Sequence, residues 1–210
     1  MRIESVITRT MYVVDRALRA TFPGDYDKRC LYSAFATCTL IQDAGYSASI
    51  VGGRFLAFVV SETGDRAGLQ GFGGDLDQLD PPSHFWVEAE GRILDLGPRY
   101  LSRGSSFPTA PIPMVAWNPP DGLPKYLRYQ ASIRYAPDVE LLSNFEISNR
   151  KEAFVADCRR RYRSQVGQPK LSTWLLTDEG AVVGAASRGD LWALNALKFA
   201  ERVNLGELPF

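Results

Sequence analysis

Apolar residues recur at helical spacing from the start of the chain. Ile3, Ile7, Met11, Val14 and Leu18 fall on one face, which predicts an amphipathic first helix. Glu4, Arg9, Asp15, Arg16 and Arg19 break any continuous apolar run there, so the segment does not read as a secretory signal. A turn follows at Phe22-Pro23-Gly24-Asp25-Tyr26-Asp27, whose acids are expected to cap a second helix over residues 28–44. Small side chains fill the middle of that helix, and Gly45 is expected to end it. Residues 46–61 read as one long β segment with a bulge or bend at Gly52-Gly53.

Residues 62–82 are glycine-rich but lack a P-loop lysine and the GxGxxG spacing, which leaves a flap beside a cleft as the expectation. Alternating residues then flank Glu90-Gly91, predicting a tight hairpin of strands at 84–89 and 92–96. Seven of the 13 prolines lie in 97–124, which is expected to be a long irregular excursion. Beyond it, 126–135 reads as a strand, 148–166 as a helix, 171–176 and 181–186 as short strands, and 190–203 as a closing helix. The pattern as a whole is α+β.

Composition narrows the picture only a little. A chain of 210 residues with 45% hydrophobic and 23% charged residues suits one domain over 1–210. Lysine plus arginine balances aspartate plus glutamate at 24 each, so the net field gives no reason to expect nucleic acid or an anionic membrane as partner. The basic run Arg159-Arg160-Arg161-Tyr162-Arg163 reads as a solvated helix face. The most apolar stretch, 48–60, is broken by Gly52, Gly53 and Arg54, and no segment reaches the roughly 18 apolar residues of a membrane span. Three cysteines without a signal sequence point to free thiols and a cytoplasmic location. Cysteines at 30, 38 and 158 with one histidine match no zinc-ligand spacing, and neither metal nor cofactor is expected.

The candidate chemistry centres on His84, the single histidine of the chain. It opens a strand, and the partner strand carries Asp95. With a two-residue turn at Glu90-Gly91, Val87 faces Leu94 and Trp86 faces Asp95, so Asp95 lies diagonal to His84 on one sheet face, about 7 Å away between backbones. A carboxylate there holds an imidazole in one tautomer and stabilises its charged form. Cys30 stands at the predicted start of the second helix, after Lys28 and Arg29. The helix dipole and those charges favour the thiolate. Cys38 and Cys158 read as structural thiols.

These residues carry a resemblance. Arg29-Cys30-Leu31-Tyr32-Ser33-Ala34-Phe35, then Gly45-Tyr46-Ser47-Ala48-Ser49-Ile50-Val51-Gly52-Gly53, then His84-Phe85-Trp86-Val87-Glu88 and Asp95 resemble the core of transglutaminase-like, papain-related proteins. The spacing is similar to that of papain-like peptidases that remove leader sequences from lasso peptides. The resemblance spans residues 25–100, and 101–210 resembles nothing we can name. It implies a papain-like or transglutaminase-like core, with Cys30 as nucleophile, His84 as general base and acid, and Asp95 as orienter. The Cys30 N–H would serve as an oxyanion donor, with Tyr26 or Trp86 as candidates for a second. Departures are Lys28 in place of the family's Gly-x-Cys glycine, Asp95-Leu96-Gly97-Pro98 in place of Asp-Pro-Thr, and the absence of a glutamine shortly before Cys30. The implied function is hydrolysis of a peptide or small amide through an acyl-enzyme. The alternatives are transfer of the acyl group to an amine, and a binding module that keeps the fold without catalysis.

Overall fold

The structure, a computed structural model, describes residues 2–72, 83–119, 122–135 and 145–210. Helix α1 (Ile3–Thr21) buries Ile7, Met11, Val14 and Leu18, the face set by the apolar repeat. A 3₁₀ turn (Tyr26–Lys28) leads into α2 (Cys30–Asp43), and Gly45 adopts φ +88° just beyond its end. The acids of the preceding turn do not cap α2, contrary to expectation. Its N-cap is Arg29, because Asp25 pairs instead with Arg29 and Asp27 with Arg103.

Strand β1 (Ala48–Val60) is the long segment expected, with a register shift between Gly52 and Gly53 against its partner. Within the stretch read as a loop lies a further strand, β2 (Ala67–Phe72), while 73–82 fall outside the described residues. The hairpin is β3 (His84–Ala89) and β4 (Arg92–Asp95), paired Ala89 to Arg92 and Val87 to Leu94 as the two-residue turn demands. The proline-rich excursion is not wholly irregular. It contains α3 (Gly97–Tyr100) and β5 (Met114–Trp117). Then follow β6 (Leu127–Tyr135), α4 (Phe145–Ser164), β7 (Leu175–Leu176), α5 (Glu179–Ser187) and α6 (Leu191–Arg202). Residues 181–186, expected as a strand, are thus helical. Asp178 accepts a hydrogen bond from the Ala181 N–H and nucleates that helix, a signal that outweighs the short apolar run.

The strands form one mostly antiparallel sheet in the order β2-β1-β3-β4-β5-β7, with β6 also on β1. β3 pairs with β1 at residues 48–53, and β2 with β1 at 55–60. β6 overlaps both pairings, along residues 50–57, so it must occupy the opposite edge of β1. β2 and β3 therefore follow one another along one edge of β1. Val87, Ala89 and Leu94 pack with α1, α2 and α4 on one face of the sheet, while Trp86, Ile93 and Val115 pack with α5 and α6 on the other. Alternation along the strands thus fills two helix-covered layers. The basic run on α4 is largely ion-paired, Arg159 with Asp43 and both Arg160 and Arg161 with Asp157. Among the described residues no helix is long and apolar enough to cross a membrane.

Candidate active site

Three elements converge at one end of β3. The Glu90-Gly91 turn has φ of +48° and +75°, the left-handed pair that joins twisted antiparallel strands over two residues. That turn fixes the register, and the register brings Asp95 across to His84. The Asp95 carboxylate Oδ2 lies 2.8 Å from His84 Nε2. Both side chains are buried, His84 completely. With Nε2 committed to Asp95, Nδ1 is the ring nitrogen left to face the thiol of Cys30, and the two groups lie close enough to shift one another's ionisation.

Cys30 is the first residue of α2 and remains partly exposed. Burial pushes its pKa up and Asp95 opposes ionisation, but the His84 hydrogen bond and charge, with the Phe85 N–H donating to sulfur, bring it below the ordinary thiol value. Arg29 contributes elsewhere, its guanidinium held by Asp25 and lying over the rings of Phe22 and Tyr32. For His84, burial favours the neutral ring, yet Asp95 and Cys30 together push its pKa up to about 10. The two shifts have one consequence. Both favour the thiolate–imidazolium form of the pair over the neutral thiol and imidazole. Burial alone pushes Cys38 up to about 11. Burial and neighbouring Asp157 push Cys158 up to about 12. Among the three thiols, only Cys30 is shifted towards the thiolate.

The carboxylate is held from several sides. Tyr129 Oη donates to Asp95 Oδ2 at 2.7 Å, and the Gly97 N–H donates to Oδ1 at 2.7 Å. Tyr129 stacks on Phe55, which packs 4.2 Å from the His84 ring between centroids. Trp86 lies nearly parallel to that ring at 6.2 Å and meets Tyr129 edge-on. Gly97 touches the site by what it lacks. A Cβ there would stand 2.5 Å from His84 Cε1 and 2.8 Å from Nε2, closer than any side chain tolerates.

Of the sequence candidates, Cys30, His84 and Asp95 are brought together, and Trp86 joins them as a wall beside the imidazole. Its Nε1 is buried and makes no hydrogen bond among the described residues. Tyr26 is not at the site, correcting that expectation. The 3₁₀ turn directs it onto Tyr100, between the guanidiniums of Arg19 and Arg103, and its hydroxyl accepts from Arg19. The Cys30 N–H belongs to the first helical turn, whose donors lack intrahelical acceptors, and so stays suited to an oxyanion. Tyr129, Phe55 and Gly97 were not identified from sequence. For Gly97 a signal existed, a glycine two residues beyond the aspartate; for Tyr129 none did, because β6 reaches the site only through long-range pairing with β1. No group of three or more metal-binding side chains occurs among the described residues.

A cavity of about 430 Å³ adjoins the site, lined by Asp27, Lys28, Leu56, Gly71, Gly97 and Leu101 among others. A larger one, about 740 Å³, is lined by Glu4, Arg92, Trp117 and Asp178 at the turn end of the hairpin; neither is lined by Cys30, His84 or Asp95, but the smaller includes Gly97, which abuts the His84 ring.

Comparison with known proteins adds little. No family model matches the chain, and no curated protein matches it. A solved structure titled "The crystal structure of genomics APC5867" is similar at 17% identity and a TM-score of 0.43, over 83% of this chain and 84% of that one. Similarity at that level carries no argument about function.

Proposed function

We propose that this chain is a cysteine-nucleophile hydrolase of an amide or peptide bond, built on a papain-like or transglutaminase-like core. One observation carries the reading: a partly exposed thiol, its pKa lowered by a buried imidazole beside it, whose ring nitrogen Nε2 is held by a carboxylate. In the reaction the Cys30 thiolate attacks the carbonyl carbon, and the Cys30 N–H faces the developing oxyanion. The imidazolium of His84 protonates the departing amine as the carbon–nitrogen bond breaks, leaving a thioester on Cys30. His84, now neutral, takes a proton from water, and the resulting hydroxide equivalent attacks the thioester. Collapse releases the acid and returns the thiolate–imidazolium pair. Asp95 fixes the orientation of the ring and balances its charge throughout. The same reading puts the chain in a reducing compartment such as the cytoplasm, where free thiols persist.

The test is a screen of peptides and small amides against wild type, with Cys30→Ala as the blank, each with and without a primary amine. Hydrolysis in the absence of amine, lost in the blank, is the expected result. Product formed only with amine would make the chain an acyltransferase. Failure of every acyl substrate, with Cys30 unreactive toward alkylation, would leave a binding module.

A further inference from the structure

Tyr129 reaches Asp95 from three strands away. In the sheet β6 lies beside β1, β1 beside β3 and β3 beside β4, three spacings of about 4.8 Å each if the sheet were flat. That is further than a tyrosine and an aspartate span together, so the two meet because the sheet curls. Tyr129 lies opposite Phe55 in the register and stacks on it, and it meets Trp86 edge-on. Held by these rings, its hydroxyl donates to Asp95 Oδ2 at 2.7 Å. The His84 Nε2 contact, at 2.8 Å, falls on the same oxygen. The Gly97 N–H takes the other oxygen, Oδ1, at 2.7 Å. With Oδ1 tied to α3 and Oδ2 to β6, the buried carboxylate cannot turn about its Cβ–Cγ bond without breaking one of these bonds. Burial and the Asp95 charge hold the Tyr129 hydroxyl well above the usual phenol range, so it keeps its proton and acts as a donor.

Attraction between opposite charges is strong where water is excluded. Facing the imidazolium alone, Asp95 would hold the ring's charge so firmly that the ring would be a poor acid toward the leaving amine. A second donor on the same oxygen takes up part of the carboxylate's charge. We infer that Tyr129 is a positioning residue of the proposed reaction. Its hydroxyl shares the Asp95 charge with His84, fixes the rotation of the carboxylate, and keeps the imidazolium acidic enough to give its Nδ1 proton to the departing amine. This rests on the hydrolase reading, and Tyr129 acts through Asp95, not on the reacting bond. Among the described residues, the titratable groups that act on the ring are Cys30 of α2 and Asp95 of β4, with Tyr129 of β6 on the carboxylate. Phe55 of β1, Trp86 of β3 and Gly97 of α3 also lie against the ring and carry no charge.

Tyr129→Phe removes the hydroxyl and keeps an aromatic ring against Phe55 and Trp86. Its effect is read first on the imidazole, from ¹⁵N spectra of His84 in Cys30→Ala and in Cys30→Ala/Tyr129→Phe, where no thiolate contributes. Loss of the hydroxyl should move the pH at which the ring becomes neutral upward by about half a unit or more. A second readout separates this role from packing. Iodoacetamide labelling of Cys30 at pH 6 should not fall in Tyr129→Phe, because a more firmly held imidazolium still supports the thiolate. Hydrolysis of a peptide or amide that the wild type turns over should fall about fivefold or more, because the ring releases its proton less readily. A residue needed only for packing would lower labelling and hydrolysis together. A ring transition that stays in place or moves downward overturns the inference, and so does a parallel loss of labelling and hydrolysis. Neither result touches the hydrolase reading, which is decided separately by hydrolysis in the wild type and its loss in Cys30→Ala.

Discussion

Replacing His84 with alanine is expected to turn Cys30 from the most reactive thiol of the chain into an ordinary one. In the wild type the thiolate is stabilised first by the hydrogen bond and charge of His84, and the imidazolium persists until pH approaches about 10. Alkylation of Cys30 should therefore level off at a lower pH than for a free thiol. Without the imidazole, the Phe85 N–H remains but burial and the Asp95 charge both oppose ionisation. A thiol of ordinary pKa, about 8.5, is less than about 1% thiolate at pH 6. Its greater intrinsic nucleophilicity offsets part of that loss. The net expectation is a fall on the order of tenfold at pH 6, and a rate that climbs more steeply towards pH 8 than the wild-type rate does. Site-resolved mass spectrometry of iodoacetamide-treated folded protein gives both rates, with Cys38 and Cys158 as internal standards. An unchanged Cys30 profile in the variant would sink the ion pair.

A second large effect is expected from a single methyl group. In Gly97→Ala the new Cβ meets His84 Cε1 at 2.5 Å and Nε2 at 2.8 Å. Phe55 and Trp86 pack beside the ring, so little space is left for it to retreat, and any retreat lengthens the 2.8 Å contact to Asp95. Either the ring shifts or α3 does, and α3 carries the Gly97 N–H that binds the same carboxylate. Overpacking of this kind costs about 1–3 kcal/mol. Selective Cys30 labelling at mildly acidic pH should fall nearly as far as in His84→Ala, together with a measurable loss in chemical denaturation. Gly206→Ala is the control, since a Cβ there meets nothing within 4 Å and labelling should not change.

The part of the site visible in the sequence is the part built locally. Asp95 and His84 sit in one hairpin whose turn has two residues, so counting from Glu90-Gly91 suffices to pair them. Cys30 opens a helix, and a helix start can be read from a turn followed by apolar periodicity. Residues that reach the site through the sheet were not visible. Tyr129 arrives because β6 pairs with β1, a contact made far along the chain and marked by no local motif. β2 was hidden by Gly68 and Gly71, which weaken a strand signal; one of them is needed for the close approach to β1. β5 was hidden by the prolines on either side of Met114–Trp117, although its own residues are apolar and buried. Helix α5 is hard to read from sequence because a short run of alanine and valine has no decisive period, and the Asp178 cap is its one local signal.

The central claim is the charge state of one ring, and the chain offers an unusually clean way to see it, because His84 is its single histidine. Histidine labelled with ¹⁵N gives one imidazole spectrum that needs no assignment. An ordinary histidine, with a pKa of about 6.5, is neutral at pH 8. If Asp95 and the Cys30 thiolate hold His84 as described, both ring nitrogens carry protons at pH 8, and the ring becomes neutral only as pH rises through about 10. In Cys30→Ala, with the thiolate gone, that transition should move to lower pH. A neutral ring at pH 8 in the wild type, or a transition indifferent to Cys30, would contradict the thiolate–imidazolium pair on which the proposed chemistry rests.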